Sequence, residues 1–281
     1  MSGARARTLG SHGDQKDHTP LERLNEGWKV NPGWKCEIFT TFGARFPVND
    51  ANKQHCFAEK PGMTAAMPTP VRAIVFDVGY TLIDEARQWA SWAAEMGRSE
   101  TEFMAALKSV IRERQHHREV FKRLDPDFDL QAAYRRRDAT DDNIWEEQDL
   151  YPDARAALTR LKARGFQIGL AGNQPHKARH ALECLTLPVD WIANSAELGA
   201  EKPAPEFFAR IAAKAGMPAS NIAYVGDRLD NDILPAQAAG MRGAFLVRGP
   251  WGEAHAKWPE ASMAQHTIQS LDDLWPELSK D

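Results

Sequence analysis

The sequence predicts an α/β protein: a Rossmann-like, doubly wound, mostly parallel sheet with a block of helices inserted after its first strand. Three observations carry this. From Val71 onward, short apolar runs alternate with helical segments, the pattern of right-handed βαβ crossovers. A long helical stretch separates the first apolar run from the second. The residues just past several runs are polar and chemically capable, and ligands bind open α/β sheets at those strand ends.

Residues 1–66 differ from the rest. Gly, Pro, Asn, His and Lys are scattered, Trp28, Trp34 and Phe39 are isolated, and no period of 3.6 or 2 is sustained. A disordered or irregular extension is expected, because too little patterned apolar surface is present to offset ordering. The α/β core is expected over residues 67–83 and 150–281, and the helical insert over 84–149.

Val71 to Val78 is an apolar run closed by Gly79, and reads as a buried strand. Glu85 to Arg123 is mostly helical, with Trp89, Trp92, Phe103, Leu107, Val110 and Ile111 at helical spacings. Pro126 breaks it, and a second helical stretch runs from about Leu130 to Glu147. Pro152 starts a helix that Gly165 closes, the expected placement of both residues. Strands follow at Phe166–Ala171, Val189–Ala193, Ile222–Val225 and Ala244–Val247. Helices at Lys177–Cys184, Pro205–Ala215 and Ile233–Ala239 connect them.

Composition narrows the function. The chain has 281 residues, 43% of them hydrophobic, enough for one large domain or one domain with an insert. A net charge of −4 gives no sign of a nucleic-acid or anionic-membrane partner. Cys36, Cys56 and Cys184 are far apart and form no CxxC pair, so neither disulfides nor a zinc site is expected, and a reducing cytoplasm is. No apolar run approaches the ~20 residues that span a bilayer. Arg5 and Arg7 are followed by no apolar stretch, so no secretory signal is expected. Oligomeric state has no signature here.

The strand ends carry the chemistry. The first ends in Phe76-Asp77-Val78-Gly79-Tyr80-Thr81-Leu82 and the second in Ala171-Gly172-Asn173. A loop after the third contains Glu201-Lys202-Pro203. The fourth ends in Gly226-Asp227, with Asp230, Asn231 and Asp232 shortly after. A carboxylate can attack phosphorus and form an aspartyl phosphate. Several carboxylates near a phosphate need a cation between them, and magnesium takes a few carboxylates plus phosphate oxygens and water. A lysine can hold the phosphoryl oxygens and the nucleophile in a fixed field.

Over roughly residues 71–250 this set resembles the haloacid dehalogenase superfamily of phosphatases. The resemblance implies that Asp77 is the nucleophile, Lys202 a catalytic partner, and Asp77, the Gly79 carbonyl, Asp227 and Asp232 the ligands of a Mg2+ cofactor. It places Gly79, Thr81, Gly172 and Asn173 around the phosphoryl group. It makes the insert at 84–149 a helical cap and the substrate a small phosphorylated metabolite. Two positions depart from the family's pattern. Gly79 stands where a second Asp usually acts as general acid and base. Gly172 stands where Ser or Thr usually binds the phosphoryl group, a role open to the side chain of Asn173 or to nearby backbone N–H groups. A cap residue or the substrate is expected to replace the acid, with Asp84 and Glu85 as candidates.

Two rival readings stay open. A 2-haloacid dehalogenase also lacks the second Asp, but works without a metal. A catalytically silent binding module on the same fold fits Gly79 and Gly172. Other features carry less. The basic run from Arg112 to Arg123 and the Arg135-Arg136-Arg137 triplet read as solvated helix faces. Adjacent His116 and His117 point in different directions on a helix and are not expected to share a metal. Trp89 and Trp92 read as core, and Arg248–Gly252 as a turn-rich loop.

Overall fold

The computed structural model describes residues 70–139 and 145–279. The expected extension at 1–66, and residues 140–144 of the insert, lie outside the described residues. Six strands form one sheet: β1 (Ala73–Phe76), β2 (Gln167–Gly172), β3 (Trp191–Asn194), β4 (Ile222–Gly226), β5 (Arg242–Leu246) and β6 (His266–Ile268). Every pairing is parallel, in the spatial order β3-β2-β1-β4-β5-β6. β1 is central, with Val75 opposite Gly169 of β2 and Tyr224 of β4. Strand order reverses between β1 and β4, which puts the ligand crevice of a doubly wound fold beside the end of β1.

β6 was not expected from the sequence. Its three residues run buried, exposed, buried, too short a stretch to show a period.

Four helices follow β1: α1 (Ala86–Glu95), α2 (Glu100–Arg112), α3 (Glu119–Leu124) and α4 (Leu130–Ala139). The sequence suggested one mostly continuous helical stretch to Arg123. Local punctuation divides it. Gly97 takes φ +64°, and Ser99 caps α2 by accepting a 3.2 Å hydrogen bond from the Glu102 amide. Arg114, at φ +57°, ends α2. Trp92, Phe103, Leu107, Val110 and Phe121 form the buried interior of this insert, with Trp92 edge-on to Phe121 at 4.9 Å. Tyr80 and Trp251 of the α/β core belong to the same apolar cluster and join the insert to the sheet.

Alternation along β1 shows why its run is continuously apolar. Ile74 and Phe76 pack with Leu158 and Leu161 of α5 (Ala154–Ala163) and Leu182 of α6 (Lys177–Cys184). Ala73 and Val75 face the opposite layer. There, beyond the single turn α7 (Ser195–Leu198), α8 (Pro205–Ala215) presents Phe207, Phe208 and Ile211. Both faces of the strand are covered, as a parallel sheet requires. α9 (Leu234–Ala238), α10 (Gly249–His255) and α11 (Leu274–Leu278) complete the chain. α10 corrects the expectation of a loop at Arg248–Gly252: Pro250 sits in its first turn, where a proline fits a helix. No helix among the described residues is long and apolar enough to cross a membrane.

Candidate active site

Asp77 follows β1 directly. Its amide donates to Val225 O at 2.8 Å, extending the ladder one residue and fixing the backbone. The residue is only 8% exposed. Asp227 follows β4, and Asp232 sits in a π-helical turn, Leu229–Ile233, just beyond it. Asp77, Asp227 and Asp232 each bring one carboxylate oxygen within 4.8 Å of the others. Burial pushes the Asp227 carboxyl well above its ordinary range, and Asp232 and Asp77 add to this. Asp232 is pushed up to about 6, again chiefly by burial, while Lys202 pulls the other way.

Lys202 is buried among them. Its Nζ donates to Asp77 Oδ1 and to Asp232 Oδ1, both at 2.6 Å. Burial alone would lower its basicity, yet Asp232 and Asp77 together hold the ammonium above its ordinary value. The Tyr224 ring lies 5.6 Å from Nζ, and the Tyr224 hydroxyl donates to Ala171 O at 2.7 Å. Arg228, next to Asp227, turns its guanidinium to Asp230 instead. Three buried carboxylates therefore face one ammonium group, an excess of two negative charges when all are ionised. Such a set can hold a metal ion.

Glycines make room for these groups. A Cβ on Gly226 would fall 2.6 Å from Asp232 Cγ, so only glycine lets that carboxylate approach the strand end. A Cβ on Gly172 would fall 2.5 Å from Gln174 Nε2 and 2.7 Å from Asp77 Oδ1. Gln174, which sequence reasoning missed, thus fills the space of the absent side chain at 172. Its Oε1 is buried and finds no partner among the described residues. The only sequence signal was a long amide two residues past a glycine in place of Ser or Thr.

Asn173 was expected near the phosphoryl group through its side chain or through nearby backbone N–H groups. Its side chain is engaged elsewhere: Nδ2 donates to Lys202 O at 2.9 Å and Oδ1 accepts from Lys202 N at 2.7 Å. This two-point clasp holds the backbone that delivers the lysine. Thr81 is fully buried, and its hydroxyl has no partner among the described residues.

The two acid candidates separate. Asp84 Oδ1 accepts from the Ala86 amide at 3.0 Å, which ties it to the start of α1. Glu85 turns toward Gly79: a Cβ built there would fall 2.8 Å from Glu85 Cδ and 3.2 Å from Oε2. Burial pushes the Glu85 carboxyl up to about 8, with Asp77 and Asp84 adding to this and Lys202 opposing it.

Fold and site define an α/β enzyme whose reactive groups gather at the carboxyl ends of a parallel sheet. Residues 71–240 match the model of the haloacid dehalogenase-like hydrolases, and the chain belongs to that family. It is 29% identical over 234 residues to a glyceraldehyde 3-phosphate phosphatase of Methanopyrus kandleri, covering 75% of this chain and all of the relative. A phosphoglycolate phosphatase of Cereibacter sphaeroides is 34% identical over 132 residues, 46% of this chain and 57% of that protein. A solved HAD-superfamily hydrolase from Geobacter sulfurreducens shares the fold with a TM-score of 0.54 at 20% identity, covering 73% of this chain and 95% of that one. The chain is a hydrolase with phosphatases among its relatives.

Proposed function

We propose that this protein is a magnesium-dependent phosphatase that hydrolyses small phosphate monoesters through an aspartyl-phosphate intermediate. The carrying observation is the buried cluster in which Lys202 joins Asp77 to Asp232 with Asp227 alongside. Asp77 supplies the attacking oxygen. Lys202 holds that oxygen in place and offsets charge on the phosphoryl group. Gln174, beside Asp77 Oδ1, takes the phosphoryl-binding role of the residue absent at 172. Asn173 acts behind it by positioning Lys202. Asp77, Asp227, Asp232 and the Gly79 carbonyl would hold Mg2+, which supplies charge neutralisation and polarises the phosphoryl oxygens.

The inserted helices act as a cap, tied to the core through Trp89, whose ring lies 6.1 Å from that of Trp251. The named relatives act on glyceraldehyde 3-phosphate and phosphoglycolate, which supports small phosphorylated carbon acids and aldehydes as the substrate class. The metal-free dehalogenase reading is disfavoured by the unneutralised carboxylates, which would repel an anionic haloacid.

The test is p-nitrophenyl phosphate turnover with and without Mg2+, in wild type and Asp77→Asn. Metal-dependent turnover is expected, reduced on the order of 10⁴-fold in the variant. Halide release from 2-chloropropionate without metal, or no turnover across a panel of phosphate esters, would overturn the assignment.

A further inference from the structure

We propose that Glu85 supplies the proton-transfer function whose usual residue is missing at position 79, reaching the reacting atoms from the start of the helical insert. This rests on the phosphatase reading above. Its ground is spatial. A Cβ on Gly79 would lie 2.8 Å from Glu85 Cδ and 3.2 Å from Oε2. The Glu85 carboxyl therefore occupies the volume that a side chain at 79 would enter, two residues past the nucleophile.

The backbone is arranged to keep it there. The segment after Asp77 folds on itself: the Tyr80 amide donates to Ile83 O at 2.7 Å, and Gly79 bridges Ile83. Ile83 in turn bridges Leu150, the Asp84 amide donates to Asp149 O at 2.7 Å, and the Tyr151 amide donates to Leu82 O at 2.9 Å. These bonds pin the residues on both sides of the hairpin-like turn. Glu85 stands at the N-cap of α1, but its side chain makes no capping bond there. The Ala86 amide is met by Asp84.

The neighbouring carboxylates are committed elsewhere. Asp84 serves α1, Asp149 takes the Arg87 guanidinium, and Asp230 takes Arg228. Among the described residues no hydrogen bond or ion pair engages the Glu85 carboxyl. It is thus left uncommitted in the volume beside Gly79.

The proton balance closes over two steps. As Asp77 forms its bond to phosphorus, the bond from phosphorus to the ester oxygen breaks, and protonated Glu85 gives its proton to that oxygen to release an alcohol. Glu85, now a carboxylate, takes a proton from water as the water oxygen bonds to phosphorus. The bond between phosphorus and Asp77 breaks, inorganic phosphate leaves, and both carboxyl groups return to their starting states.

The test compares an ester that needs a proton on its leaving group with one that does not. Wild type, Glu85→Gln, Glu85→Ala and the double variant Gly79→Asp/Glu85→Ala are assayed on β-glycerol phosphate and on p-nitrophenyl phosphate, with circular dichroism to confirm folding. General acid–base help is typically about 10² to 10⁴ in rate. Glu85→Gln is expected to lose about 10²-fold or more in kcat/KM on the alkyl ester and less than about 10-fold on the aryl ester. The double variant, which returns the carboxylate to position 79, is expected to recover at least about 10-fold over Glu85→Ala on the alkyl ester.

Equal losses on both esters, or no loss, would overturn the role of Glu85 while leaving an Asp77-dependent phosphatase standing. A folded wild type inactive on both esters would overturn the two proposals together. A Glu85→Gln protein that fails to fold shifts the decision to the double variant, whose failure to exceed Glu85→Ala counts against the role.

Discussion

The ammonium group of Lys202 lies 2.6 Å from Asp77 Oδ1 across a chain separation of 125 residues. The same nitrogen also reaches Asp232. One side chain thus binds the end of β1 to the turn after β4, and it is almost wholly buried. A buried cation between two carboxylates cannot be removed without leaving uncompensated charge, and breaking such a pair from one side costs about 3–5 kcal/mol.

Lys202→Met should therefore lower stability by roughly 3 kcal/mol in metal-free buffer, read from urea unfolding at neutral pH. Magnesium should recover much of the loss, because binding to the folded state alone adds about 2.7 kcal/mol at 100 times Kd. An unchanged urea midpoint in the variant would mean that Lys202 does not neutralise the cluster.

Gly226→Ala tests the space around Asp232. The added methyl would sit 2.6 Å from Asp232 Cγ, far inside van der Waals contact. Asp232 must then retreat from Lys202 and from the other two carboxylates. Magnesium affinity by calorimetry should fall at least about 10-fold, and kcat by about 10² or more, because small displacements at a reacting centre are costly. Unchanged magnesium affinity would show that Asp232 is not a ligand.

Asn173→Ala removes both hydrogen bonds that clasp the Lys202 backbone. Each bond contributes about 0.5–1.5 kcal/mol net, so unfolding stability should fall by about 1–2 kcal/mol. The effect on activity should appear mainly in kcat, by about 10-fold to 10²-fold, since the lysine loses its alignment. Asn173→Asp keeps the Oδ1 acceptor for Lys202 N and should fall between wild type and alanine. A change in KM alone would instead indicate direct substrate contact.

His255 sets an acid-side limit on stability. It is buried, stacks on Trp258 at 3.7 Å, and its Nδ1 accepts from the Leu229 amide at 3.0 Å. Burial lowers its pKa to about 4, helped by Arg228 and Arg114 and opposed by Asp230 and Glu260. A histidine depressed in the folded state gives stability that is full above the unfolded pKa of about 6.5 and is lost as pH falls toward 4. The full span is about 3 kcal/mol at 1.36 kcal/mol per unit. His255→Gln keeps an acceptor for Leu229 and should flatten the pH dependence between 6.5 and 4, measured as the difference in urea-unfolding free energy from wild type. Parallel curves would assign that acid loss to other groups.

Much of the crest was legible in the sequence for a local reason. Asp77 and Asp227 each end a short apolar strand bounded by glycine, and strand length and punctuation are carried by adjacent residues. The same locality explains the misses. The breaks at Gly97 and Ser99 interrupt a helical period that continues across them, and β6 is too short to show one.

The sequence by itself determined the α/β alternation and which carboxylates and lysine stand at strand ends. Tertiary structure alone decided which side chains fill the gaps that Gly79 and Gly172 leave. Gln174 reaches back two residues and Glu85 six, while Asn173, adjacent to the gap, is drawn away to Lys202 twenty-nine residues on. Periodicity records which face a residue takes along one element. Occupancy of a shared volume depends on how separate segments meet, and that is fixed only when the strands, the turn at Gly79 and the first helix pack together.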